Sequence, residues 1–145
     1  MRKAIAGLAA FIMLAIAVQF YLAGSGAFAE TPIEEAFKPH RSLGYLIVLL
    51  SLVLTVLAAV ARVPGRLVGM AGALVGLGIL QPVIAVVAKA FDDPSGAGRI
   101  VFGLHAVGAL AMVAVAVRIQ RTARELSNSP ASAAQATGPA QGSAQ

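Results

Sequence analysis

A chain of 145 residues is the size of one domain, and 59% of it is hydrophobic while 12% is charged. That is about half the charge of a soluble domain, too little to cover a water-facing surface, which excludes an ordinary soluble fold. The net charge of +5 does not point to nucleic acid, because seven of the eleven Lys and Arg stand at alternate ends of apolar runs; the absence of cysteine excludes disulfides, cysteine zinc sites, iron–sulfur ligation and haem attached through CxxCH.

The chain opens on Arg2 and Lys3, followed by an uncharged stretch from Ala4 to Ala29. Ala27-Phe28-Ala29 before Glu30 fits a signal-peptide cleavage site. However, the apolar run from Ala4 to Ala23 has membrane-spanning length, beyond a signal h-region, so a retained helix is expected. Gly24-Ser25-Gly26 is expected to stop it. In the polar connection that follows, Thr31 reads as an N-cap, Pro32 as the first helical residue and Glu34 as a capping-box acid, which predicts a short helix over 31–37.

Pro39 then starts the stretch that dominates the chain, HRSLGYLIVLLSLVLTVLAAVAR. Ser42 to Ala61 are twenty residues without a charge, about 30 Å of helix and enough to cross a hydrocarbon core. Arg62-Val63-Pro64-Gly65-Arg66 is a basic turn. Leu67 to Ala88 is a third span, whose pairs Gly65/Gly69 and Gly72/Gly76 have the spacing that admits a neighbouring helix closely. Gln81-Pro82 adds a polar side chain and an expected kink. Lys89 to Arg99 reads as a loop, Ile100 to Val117 as a fourth span containing His105, and Arg118, Arg121 and Arg124 close it. Beyond this, the Ser/Ala/Gln/Pro/Gly composition without apolar period reads as disordered.

The expected fold is therefore all-α: an integral membrane, up-down four-helix bundle over 1–124, with helices at about 3–24, 39–62, 66–90 and 98–121, and a disordered cytoplasmic tail over 125–145. Seven basic residues and one acidic residue lie on the side of the termini and the 62–66 turn. Four basic and five acidic residues lie in the two opposite loops. The positive-inside rule puts both termini in the cytoplasm, with the bacterial cytoplasmic (inner) membrane as the location.

Two histidines carry the functional reading. His105 stands inside the fourth span, and His40 at the same end of the second; an ionisable residue within a membrane is by default a functional candidate. Gln19 and Gln81 each lie late in a helix running toward that end, and each is followed by a histidine, 21 and 24 residues on, and then by a glycine, Gly44 or Gly108. This weak internal repeat implies a two-fold axis along the membrane normal, with His40 and His105 facing each other. Two such imidazoles suit the axial ligation of a haem b, with Lys38, Arg41, Lys89 and Arg99 as partners for its propionates and Gln19 and Gln81 orienting the ligands. The simpler alternative is structural: an interfacial His40, and a His105 hydrogen-bonded across the bundle to Gln19, Gln81 or a backbone carbonyl.

The segments Glu34–Gly44, Leu80–Ala85 and Gly103–Ala109 resemble a small uncharacterised family of four-helix bacterial membrane proteins that carry HRxLG and a late LH helix. More distantly, the chain is similar to one half of haem A synthase. That resemblance implies an axial role for His40 and His105. It also meets two departures: Phe37 stands three residues before His40, where that pattern has a glutamate, while Glu34 and Glu35 stand six and five before it; and there is one bundle instead of two, which argues against a synthase reaction. No catalytic residue is identified. The second function class is a non-catalytic membrane subunit or scaffold without cofactor, packing through its glycine-rich helix against a membrane-protein partner or another copy. In both readings the lipid bilayer is the solvent and nucleic acid is no partner.

Overall fold

The computed structural model describes residues 1–91 and 96–136, and all its regular structure is helical. The elements are α1 (Arg2–Ala27), α2 (Ile33–Ala36), α3 (Lys38–Val60), α4 (Gly65–Ala90) and α5 (Ala97–Ala136). Helices α1, α3, α4 and α5 are each long and apolar enough to cross a membrane. Each packs against two neighbours, in the closed order α1–α3–α4–α5–α1, and among the described residues the backbones of diagonal helices do not approach each other. The result is a multi-pass, up-down four-helix membrane bundle with antiparallel neighbours.

The register of the bundle is a seven-residue repeat. Buried Ile5 and Ile12 lead to Gln19 on α1, and buried Leu67 and Leu74 lead to Gln81 on α4. On the two return helices His40 leads to buried Ile47 and Leu54, and His105 to buried Met112 and Ile119. Seven residues are nearly two turns, so each series keeps one face toward the partners. Small residues, among them Ala9, Ser51, Ala58, Ala71, Gly78, Ala116 and Ala123, fill the neighbouring buried positions. The continuous apolar core thus occupies the half of the bundle at the arginine end. Each of the four columns changes to a polar residue in the half at the histidine end.

The turn between α3 and α4 closes the arginine end. Arg62 has a left-handed φ of 50°, the Val63 N–H bonds the Ala58 carbonyl at 3.3 Å and the Arg62 N–H bonds the Ala59 carbonyl at 3.1 Å. This is a Schellman cap, with Val63 buried and Pro64 preventing continuation.

Several boundaries differ from those expected. Gly24-Ser25-Gly26 does not stop α1. The Ser25 hydroxyl bonds the Leu22 carbonyl, and Gly26 is buried against α2 and Phe37, so packing overrides the low helix propensity of glycine. Thr31 is not the cap of α2: the helix begins at Ile33, Pro32 holds the cap position, and no side chain bonds the free N–H groups. Helix α4 runs through Pro82. Helix α5 crosses the expected boundary at 124/125 and continues to Ala136, through the poor helix formers Ser127, Asn128, Ser129 and Pro130 and into a stretch in which four of the last six residues are alanine. Residues 137–145, and Asp92 to Ser95 within the expected loop, lie outside the described residues. The glycine spacing on α4 serves no contact inside the bundle either. A Cβ at Gly65, Gly69, Gly72 or Gly76 would meet nothing within 4 Å, whereas one at Gly78 would stand 2.8 Å from Val48.

Candidate functional site

The polar layer is assembled twice by the same contacts. In the first hairpin the Gln19 amide nitrogen donates to the His40 carbonyl at 2.8 Å, and His40 Nδ1 lies 3.2 Å from the Gln19 carbonyl. Gly44 makes this approach feasible, since a Cβ there would stand 2.9 Å from the amide nitrogen. In the second hairpin His105 Nδ1 lies 3.3 Å from the Gln81 carbonyl. Turned so that its nitrogen faces α5, the Gln81 amide donates to the His105 carbonyl at 3.0 Å and accepts from the Ala109 N–H at 3.1 Å. Gly108 admits it, a Cβ there lying 2.5 Å from the amide atom that is the oxygen in this orientation. The repeat seen faintly in the sequence is thus a repeated physical device: a glutamine clamped to the backbone of the next helix, and a histidine clamped back onto the glutamine's own carbonyl.

A carbonyl oxygen only accepts, so the Gln19 carbonyl fixes the His40 proton on Nδ1 and leaves Nε2 with its lone pair. His105 has a choice. A protonated Nδ1 donates a hydrogen bond to the Gln81 carbonyl, whereas an unprotonated Nδ1 accepts one from the turned Gln81 amide nitrogen, 2.9 Å away. Coordination of a metal through Nε2 requires the first arrangement. Nε2 of neither ring has a hydrogen-bond partner among the described residues.

The two rings face each other, with centroids 6.0 Å apart and planes tilted by 43°. Phe102 stacks on His105 at 5.3 Å, and the Phe37 ring stands nearly perpendicular to that of His40 at 5.9 Å. Gln19, His40, Gln81 and His105 are each only partly buried, so this layer is not sealed as the apolar layers are. Gln19 Oε1 is buried and accepts no hydrogen bond among the described residues.

The four cations expected around the site do not behave alike. Arg41 and Lys89 converge on Glu34: Lys89 Nζ lies 3.4 Å from its carboxylate, Arg41 lies 3.9 Å from it, and Arg41 also donates to the Glu34 backbone carbonyl. The Arg99 guanidinium lies over Gly96, which has a φ of 76°. Lys38 is exposed at the start of α3. Among the described residues no group of three or more His, Cys, Asp or Glu gathers as for a metal ion, so any metal here rests on the imidazole pair. Sequence reasoning missed Phe37, Phe102 and Glu34. The spacing of Phe102 and His105, three apart on one helix, could have revealed one of these contacts.

Residues 19–89 match a family of unknown function, DUF6220. The DUF6220 match begins at Gln19, includes His40, Gly44 and Gln81, and ends before α5, so His105 lies outside it. It agrees with the expected likeness to a small uncharacterised family. No curated protein and no solved structure matches the chain. The comparisons show no likeness to haem A synthase, and the reading of the site rests on its own residues.

Proposed function

We propose that the polar layer is a bis-histidine haem b site used for electron transfer or haem handling, near the extracytoplasmic side of a bacterial cytoplasmic membrane. The observation that supports this is the imidazole pair itself. Two metal–nitrogen bonds of about 2 Å plus about 1 Å from nitrogen to ring centre on each side give a separation of about 6 Å, and the centroids stand 6.0 Å apart. The residues fit the group. The Gln19 carbonyl orients the His40 ring and leaves its Nε2 as the donor, and the Gln81 carbonyl does the same for His105 in the first of its two arrangements; all four side chains of the layer are only partly buried. His40 and His105 would hold the iron, with Gln19 and Gln81 orienting them and Arg41, Lys89, Lys38 and Arg99 available to the propionates. A bound haem supplies one-electron chemistry; the bundle excludes water from below through Ile16, Ile47 and Met112.

Haem titration of the purified protein in detergent tests this. A b-type Soret band is expected, and His40→Ala and His105→Ala should each weaken binding at least about tenfold, since even second-shell losses at metal sites reach that range. A colourless preparation that takes up no added haem would overturn the reading, as would uptake indifferent to both substitutions.

The orientation follows from the basic residues at the arginine end. A reporter fused after Glu125 should be active only in the cytoplasm, and extracytoplasmic activity would reverse the topology. One observation favours a second reading, a cofactor-free scaffold: the outward glycines of α4 leave open space for another helix. A protein that takes up no haem but remains associated with itself or with another membrane protein in detergent would support it.

A further inference from the structure

We propose that Glu34 is an internal competitor for the haem carboxylates, so that α2 is a strap whose release strengthens haem binding; this rests on the haem reading above. The strap joins α1 to α3 across the histidine end and is fastened at two points. At one, Phe37 lies against Gly26 of α1, where a Cβ would stand 3.4 Å from its ring, and against His40. At the other, the Glu34 carboxylate lies between Lys89 of α4 and Arg41 of α3. Two cations from different long helices thus converge on one carboxylate, and Arg41 directly follows His40 in the chain. A ligand held by His40 brings its own carboxylates to this neighbourhood. Planar guanidinium and ammonium groups recognise a propionate by the same chemistry as a glutamate.

The Glu34 pairs are built to be exchanged. The side chains of Glu34 and Lys89 are 75% and 77% exposed, and that of Arg41 is 43% exposed, so solvent and salt screen the attraction. Glu35, next along the same helix, has no ion pair among the described residues and provides a control of equal charge.

The test titrates wild type, Glu34→Gln and Glu35→Gln in detergent with haem b and with its dimethyl ester, whose propionates carry no charge; Soret absorbance is the readout. Glu34→Gln should bind haem about three- to fivefold more tightly and the ester no more tightly than wild type, and Glu35→Gln should change neither affinity. Unchanged or weaker haem binding by Glu34→Gln overturns the proposal while leaving the haem site standing. An equal gain for haem and ester also overturns it, because the strap would then act by bulk and not by charge, and an equal gain in Glu35→Gln reduces the effect to net charge. Failure of all three proteins to take up haem removes both this inference and the reading beneath it.

Discussion

Gly98→Val is expected to lower the melting temperature of the detergent-solubilised protein by about 5–10 °C, the result of a loss of about 2–3 kcal/mol in a chain of this size. A Cβ at Gly98 would stand 2.6 Å from the Ala88 carbonyl oxygen and 3.0 Å from that of Phe91. Both are backbone atoms, which cannot rotate away as a side chain does. The start of α5 must therefore move off the end of α4, and the closest packing in a membrane bundle is also its main source of stability, since lipid provides no hydrophobic drive for helices to associate. His105 lies two turns further along α5, so the proposed haem uptake should fall in parallel. Gly72→Ala is the control: nothing lies within 4 Å of its Cβ, and the alanine should leave the melting temperature unchanged or raise it. Equal melting of the Gly98 variant and wild type would mean that α4 and α5 do not meet here.

Leu54→Ala should cost about 2–3 kcal/mol in reversible unfolding by denaturing detergent. Leu54 is 0% exposed and belongs to the same cluster as Ile12, Leu74 and Ile119. In water such a change loses both transfer energy and packing. Within a bilayer the transfer part is small because the exterior is also apolar, and the cavity and its lost dispersion contacts account for the cost. Leu52, two residues earlier and 49% exposed, faces outward; Leu52→Ala should change stability by less than about 0.5 kcal/mol. A similar loss at both positions would overturn the assignment of the faces.

The spans were legible because an uncharged run of about twenty residues has few solutions other than a membrane helix. The histidine pair was legible through the repeated order of glutamine, histidine and glycine, although the alternatives for it stayed open. The seven-residue columns that end in Gln19, His40, Gln81 and His105 were equally present in the sequence. They were obscured because nearly every neighbour is apolar, so contrast between faces, the usual sign of a buried stripe, is weak. The glycines of α4 show the limit of spacing arguments: Gly65, Gly69, Gly72 and Gly76 define a face, but spacing does not say which way that face points. Nor did the sequence reveal the bridge from Glu34 to Lys89, 55 residues apart, because it depends on how a four-residue helix lies across the bundle.

The division of the bundle into a filled half and an unsealed half has a mechanical consequence. At the arginine end, Val63, Leu67, Ile119 and Ala123 are tightly buried, and the Arg2 guanidinium reaches the Leu126 carbonyl, so the four rods are gripped there as at a fulcrum. At the far end they are joined within each hairpin, by the hydrogen bonds of the glutamines and histidines and by the close approach of Gly98 to the end of α4, and between hairpins by the exposed pairs of one glutamate and the contact of the two imidazoles. A small splay of the rods, amplified along their length, would change the distance between the imidazoles before it disturbed the apolar layers. The gap between His40 and His105, which joins the two hairpins, is therefore expected to respond to such a splay ahead of the buried layers around Ile119.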